Sequence, residues 1–166
     1  MKNVIVEGID CSGKSTLIKN LKFKLKGFGG YDVKALEHKN GDQFRRYSTE
    51  YVLADRILFD RAHISEMVFG KILRNHSPLN QNEISILNSI VNNNFLVILA
   101  VPSYEDFIRR FHESRELQVI SESDFGRIND EFILGCGSIN PIIYNSKSLT
   151  ELDLITNQIV AKLSSI

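Results

Sequence analysis

Nine residues near the N-terminus, GIDCSGKST, have the residue types and the spacing of a phosphate-binding loop. In the pattern G-x-x-x-x-G-K-S, Gly8 and Gly13 let the backbone turn tightly, so that successive N–H groups point into one cavity at the start of a helix. Lys14 can reach the β- and γ-phosphates of a nucleotide, and the Ser15 hydroxyl can ligate Mg²⁺. We therefore predict a site for ATP with Mg²⁺. Its predicted binding residues are Gly8, Asp10, Cys11, Ser12, Gly13, Lys14, Ser15 and Thr16.

A second candidate site follows the apolar run ILFD at 57–60. Asp60 and Arg61 come at the carboxyl end of a predicted strand, which is where ligands of open α/β sheets bind. Asp60 can serve Mg²⁺ together with Ser15, or it can take a proton from an attacking hydroxyl. Arg61 can clamp a phosphate through two parallel hydrogen bonds. The alternative is an ion pair that caps the next helix, but the position after an apolar strand favours catalysis.

Three arginines in the stretch IRRFHESRELQ precede a polar break between two predicted helices. Arginine suits the charge that develops on a transferred phosphoryl group, and a mobile segment can bring it in while excluding water. Each arginine could instead belong to a solvated helical face. Of the three, we predict that Arg110 and Arg115 are catalytic.

Apolar runs alternate with helical patterns along the chain, and we find no repeat and no linker. The predicted strands are 3–7, 32–37, 56–60, 95–101 and 141–145. The predicted helices are 15–26, 42–54, 63–74, 82–93, 103–115, 121–134 and 149–163. Strands that are apolar on both faces indicate a parallel sheet covered by helices on each side. We predict one three-layer α/β domain over 1–166, with an acceptor-binding insert at about 39–55 and a lid at about 109–122.

The composition is that of an ordinary globular protein. Twenty basic residues balance twenty acidic ones, and the pI is about 6.9, so no overall field attracts nucleic acid. Two cysteines do not make a disulfide framework. No signal segment precedes the first strand, and no apolar run approaches the roughly 20 residues that a membrane span needs. We therefore expect a cytoplasmic protein.

Several motifs resemble those of thymidylate kinases, in the right order and over most of the chain. VEGIDCSGKSTL resembles their P-loop, which reads E-G-x-D/E-x-x-G-K-S/T-T. DRAHISEMVFG resembles their DR motif with its following serine and aromatic residue, and is similar to deoxynucleoside kinases too. RRFHESRE resembles the arginine-bearing lid, and IIYNSKSLTEL the last strand with the adenine-side loop. The resemblance implies a P-loop NTPase fold of the nucleoside monophosphate kinase type, with strand order 2-3-1-4-5.

The resemblance also implies roles for particular residues. Asp10 would lie near the 3′-hydroxyl of the acceptor sugar, and Arg61 would hold the acceptor monophosphate, with Ser65 beside it. Some thymidylate kinases carry a catalytic arginine in the P-loop, at the position of Cys11. Positive charge would then come from the lid, which agrees with Arg110 and Arg115 as the catalytic arginines.

The chain departs from the family between its second and third strands. Thymidylate kinases carry a long helical region there, whereas this chain has only HKNGDQFRRYSTEYVLAD. Arg45 or Arg46 could replace the missing acceptor clamp, and we place Arg45 in the acceptor site. Phe44, Tyr47 or Tyr51 could stack on a base. The alternative is a polar surface helix with ordinary aromatic residues.

These features together predict an ATP- and Mg²⁺-dependent phosphotransferase that acts on a deoxynucleotide, thymidylate or a related deoxynucleoside monophosphate. The compact chain with its DR-x-x-x-S-E-x-V-Y/F-G pattern also resembles chains encoded by large bacteriophages. Their relatives include kinases that phosphorylate 5-hydroxymethyluracil within DNA, a DNA modification in which Asp60 would be the general base for a flipped-out base. The neutral charge opposes that alternative. A deoxynucleoside kinase and a P-loop ATPase regulator are further alternatives. Thymidylate kinases are often dimers, which implies a possible homodimer.

Overall fold

The computed structural model describes residues 2–36, 38–114 and 120–164. The strands in this part of the chain are β1 (Asn3–Gly8), β2 (Asp32–Ala35), β3 (Ile57–Asp60), β4 (Phe95–Ala100) and β5 (Ile142–Tyr144). The α-helices there are α1 (Lys14–Lys24), α2 (Gln43–Val52), α3 (His63–Leu73), α4 (Gln81–Asn94), α5 (Tyr104–Glu113), α6 (Phe125–Cys136) and α7 (Leu149–Ser164). Short 3₁₀ turns follow α1 and precede α6. Each predicted strand and helix is present, with its ends shifted by a few residues.

The strands form one parallel sheet in the order β2-β3-β1-β4-β5, which confirms the predicted topology. Strand β1 lies at the centre, with Val6 opposite Asp60 of β3 and Gly8 opposite Ala100 of β4. Because the strands are parallel, the phosphate loop after β1 and the DR pair after β3 leave the sheet at the same edge.

Helices cover both faces of the sheet, so the predicted three-layer architecture is confirmed. Side chains of β1 alternate between two cores: Ile5 joins a core with α2, α3, α4, α5 and α6, whereas Val4 and Val6 join a core with α1 and α7. This alternation explains why β1 is apolar on both faces. Among the described helices, none is both long and apolar enough to cross a membrane.

Helix α2 turns its tyrosines into the core. Tyr47 is fully buried and Tyr51 is 3% exposed, so the hypothesis that either stacks on a base is wrong. The two lie four residues apart and therefore share the helix face that packs on the sheet. The Tyr51 hydroxyl accepts from the His63 backbone N–H at 3.2 Å and lies 2.7 Å from its Nδ1. Burial lowers the pKa of His63 to about 4, so its neutral ring can accept the tyrosine proton.

Replacing Tyr51 by Phe should lower the free energy of unfolding by about 1–3 kcal/mol, because two buried groups of His63 lose their partner. Chemical denaturation with urea measures this change. Tyr104→Phe is the matched control, since that side chain is 52% exposed, and it should change stability by less than about 0.5 kcal/mol. Equal losses in the two variants would contradict the assignment of Tyr51 to the core.

Candidate active site

The loop between β1 and α1 depends on its glycines. Gly8 has φ 137°, and a Cβ there would come within 2.5 Å of the Ala100 carbonyl oxygen on β4. Gly13 has φ 88°, and a Cβ there would lie 3.2 Å from that of Ser146. Cys11, between them, also has a positive φ of 58°. These conformations wrap the loop against the N-terminus of α1, the position at which a helix favours phosphate.

Lys14 is buried beneath this loop. Its Nζ donates to the Ile9 carbonyl oxygen at 2.5 Å and lies 3.3 Å from the Ser12 hydroxyl. Burial, and after it the positive charge of Arg61, lower the pKa of Lys14 to about 7, although nearby carboxylates act in the opposite direction. A lysine with this pKa responds strongly to an anion, because a phosphate beside it favours the charged form.

The two predicted metal ligands lie at the same edge of the sheet. Ser15 and Thr16 are exposed in the first turn of α1, next to the loop. Asp60 ends β3 and is half-buried, and its charge acts on Lys14, whose pKa it raises. A hydroxyl and a carboxylate are the oxygen ligands that Mg²⁺ prefers, so Ser15 and Asp60 fit the predicted ion.

Arg61 is held between the phosphate loop and α3. One guanidinium nitrogen, Nη2, forms an ion pair with Asp10. The other, Nη1, donates to the Gly8 carbonyl oxygen at 3.2 Å and to the Ser65 hydroxyl at 3.3 Å. The guanidinium carbon lies 4.9 Å from the centre of the Phe69 ring, within cation–π range. The structure therefore brings together three residues predicted for the acceptor site: Asp10, Arg61 and Ser65.

These three residues line a cavity of about 290 Å³ at the carboxyl edge of the sheet. Among the described residues, the rest of its wall is formed by Leu36, His38, Glu66, Phe69, Leu73 and Arg74. Glu66 is nearly fully buried there, forms an ion pair with Arg74, and lies at hydrogen-bond distance, 2.8 Å, from Nδ1 of His38. The sequence analysis assigned no role to these wall residues, although Glu66 and Phe69 stood within the quoted DR motif.

The remaining predicted arginines are dispersed. Arg110 reaches the phosphate loop: its Nη1 donates to the Ser146 hydroxyl at 2.7 Å and to the Cys11 carbonyl oxygen at 3.3 Å. A guanidinium from α5 thus lies against the phosphate loop at Cys11. Arg115 falls outside the described residues. Arg45 is exposed in the first turn of α2 and is not part of the cavity wall.

Comparison with known proteins identifies the fold. No protein-family model and no curated protein sequence matches the chain. A crystal structure of the YorR protein from Bacillus subtilis, in complex with phosphorylated GDP, is similar, with a TM-score of 0.79 at 18% identity over 98% of this chain and 95% of that one. A structure of deoxyadenosine kinase from M. mycoides with dCMP and dCDP gives 0.62 at 17% identity, over 96% and 98% of the two chains. For the same kinase with bound dATP the TM-score is 0.61 at 17% identity, over 95% of this chain and 98% of that one. The chain therefore has the fold of P-loop kinases.

Binding of ATP with Mg²⁺ at pH 8 should take up about one proton, because Lys14 with its pKa of about 7 is mostly neutral before binding. Affinity should accordingly fall as the pH rises from 7 to 9. Calorimetric titrations in two buffers of different ionisation enthalpy count the protons. Lys14→Arg stays charged throughout this range and should take up none. The same proton count in both proteins would contradict the role of Lys14.

Proposed function

We propose that this protein is an ATP- and Mg²⁺-dependent phosphotransferase that transfers the γ-phosphate to a deoxynucleotide, thymidylate or a related deoxynucleoside monophosphate. The observation that carries the proposal is the position of the Asp10–Arg61 pair, which borders the phosphate loop on one side and an open cavity on the other. Donor and acceptor sites that share a wall can bring the reacting atoms together.

On the donor side, the loop and Lys14 hold the phosphates of ATP, and Ser15 with Asp60 holds Mg²⁺. The ion neutralises charge on the phosphates when it is bound. The nucleotides bound in two of the similar structures support a nucleotide in this one: phosphorylated GDP in the YorR protein and dATP in deoxyadenosine kinase. Arg110, and Arg115 from the proposed lid, stabilise the charge that develops on the transferred group.

On the acceptor side, the cavity suits one small molecule. Its volume of about 290 Å³ is at the lower end of the range for small-molecule sites. An oxygen of the acceptor phosphate attacks the γ-phosphorus, the bond to the bridging oxygen breaks, and ADP leaves. Arg61 binds the acceptor phosphate through its guanidinium, and Phe69 supplies an aromatic ring to the cavity wall.

A deoxynucleoside is a second candidate acceptor, and the charges of the cavity favour it. Two carboxylates, Asp10 and Glu66, are paired with two guanidiniums, Arg61 and Arg74. Little positive charge is therefore left in the described wall for a phosphate dianion. For this acceptor Asp60 takes the proton of the attacking hydroxyl instead of binding Mg²⁺, which Ser15 then holds, because a neutral alcohol needs a general base. Deoxyadenosine kinase has this fold.

Labelled γ-phosphate of ATP should appear in a deoxynucleoside diphosphate when deoxynucleoside monophosphates are supplied. Deoxynucleosides and an oligonucleotide that carries 5-hydroxymethyluracil are the parallel acceptors. Lys14→Ala should reduce transfer to background while the circular-dichroism spectrum stays that of the folded protein. If label appears in the oligonucleotide alone, the acceptor is a base within DNA and not a free nucleotide. Hydrolysis of ATP that needs no acceptor would favour an ATPase regulator.

Arg61→Met should raise the KM for the acceptor by about 10- to 100-fold, because a charged hydrogen bond to the acceptor is lost, whereas the KM for ATP should change little. Steady-state kinetics with each substrate varied in turn separates the two effects. Arg127→Ala removes an exposed arginine of α6 and should leave both constants unchanged. If Arg61→Met weakens ATP and acceptor equally, Arg61 does not belong to the acceptor site.

A further inference from the structure

Glu7, the penultimate residue of β1, is a carboxylate with no contact to water. Burial raises its pKa above the usual value, whereas the hydrogen bonds from Ser65 and the charges of Arg61 and Lys14 act in the opposite direction. A buried carboxylate is costly unless several donors satisfy it. The identity of those donors indicates what Glu7 does.

Glu7 replaces the missing N-cap of α3. The cap position is Ala62, which has no side-chain acceptor. One oxygen of Glu7, Oε1, accepts from the backbone N–H of Ala62 at 2.9 Å and of Ser65 at 3.2 Å. Ser65 is the third residue of the helix, and its N–H is one that an N-cap side chain normally satisfies. The start of α3, immediately after Arg61, is therefore fixed from the neighbouring strand.

The second oxygen of Glu7 sets the orientation of the Ser65 hydroxyl. Oε2 accepts the hydrogen of that hydroxyl, so the lone pairs of Oγ remain for other donors. Arg61 Nη1 donates to this same Oγ at 3.3 Å. A continuous set of bonds thus runs from Glu7 through Ser65 to Arg61, and from Arg61 to Asp10 at the wall of the cavity.

We propose that Glu7 is a positioning residue for the acceptor, which fixes Ser65 and, through it, holds the Arg61 guanidinium in the cavity wall. Glu7 itself does not line the cavity, so it acts through other residues. The kinetic part of this inference rests on the proposed function. The structural part, that Glu7 restrains Arg61, does not.

Glu7→Gln tests this role with a side chain of nearly the same shape. The amide keeps one oxygen but replaces the other by an NH₂ donor. If that oxygen stays with the backbone N–H groups, the NH₂ faces Ser65, and the hydroxyl loses its acceptor. If the amide flips, the hydroxyl keeps an acceptor, but the NH₂ faces the N–H groups of Ala62 and Ser65, and the start of α3 that carries Ser65 must move. Either arrangement disturbs the bond from Ser65 to Arg61. Glu83→Gln is the matched control, since Glu83 is the third residue of α4 and belongs to that helix's capping box, away from the cavity.

The first measurement needs no substrate. In the wild-type protein labelled with ¹⁵N-arginine, the Nη–H signals of Arg61 should be resolved, because bonds on both nitrogens slow rotation of the guanidinium. In Glu7→Gln the guanidinium should rotate several-fold faster, because Nη1 keeps only its bond to the Gly8 carbonyl oxygen, whereas in Glu83→Gln the rate should stay that of the wild type. An unchanged rotation rate of Arg61 in folded Glu7→Gln would overturn the proposal. Should that variant not fold, Ser65→Ala keeps both backbone N–H bonds to Glu7, and an unchanged rotation rate of Arg61 there would overturn it equally.

The second measurement is a double-mutant cycle on the acceptor KM. Glu7→Gln should raise that KM by about tenfold and the KM for ATP by much less. The double variant of Glu7→Gln with Ser65→Ala should be no worse than the more impaired single variant, because both changes break one set of bonds. Additive effects would overturn the proposal. If the wild-type protein transfers phosphate to no acceptor, the proposed function is refuted. The NMR signals of Arg61 would then still decide whether Glu7 restrains that side chain.

Discussion

The backbone hydrogen bond from the Arg61 N–H to the Val6 carbonyl oxygen, 3.0 Å long, joins the two segments on which the site depends. It extends the pairing of β3 with β1 beyond the last residue of β3, at the point where each strand turns into a functional loop. Arg61 reaches this position with a φ of 69°, which is uncommon for a residue with a side chain. The phosphate loop and Arg61, the arginine proposed for the acceptor site, therefore start from adjacent strands, and their separation is set by the width of one strand pair.

The charged groups at this edge of the sheet interact electrostatically because they are partly or fully buried. Lys14, Asp10, Asp60 and Arg61 are close enough for each of the other three charges to act on the pKa of Lys14. In a site with little water, such charges interact more strongly than on an exposed surface. Binding of an anionic phosphate at the loop therefore alters the balance that holds Arg61 against Asp10. This coupling offers a physical reason for the proposed donor and acceptor sites to share one ion pair.

The sequence was sufficient for the features that depend on local spacing, such as the glycines and lysine of the phosphate loop and the apolar runs that became the sheet. It did not reveal the inner wall of the cavity, because His38 and Arg74 follow different elements and meet at Glu66 only when β2 and β3 pair. Residue type alone also did not separate a buried tyrosine from one that faces a ligand, as Tyr51 shows. Glu7 stood in the quoted P-loop motif, but the sequence did not predict that its carboxylate is buried or which groups it binds.

The central claim is that a nucleotide donor and a nucleoside-type acceptor bind side by side across the Asp10–Arg61 pair. Adenosine joined to thymidine through four or five phosphates tests it directly, because such a compound occupies both sites at once. Calorimetry should show that the affinity for one of the two compounds is at least about 100-fold higher than for ATP. Arg61→Met should remove this gain in affinity and leave the affinity for ATP unchanged. Affinity equal to that of ATP for both compounds would contradict the shared site.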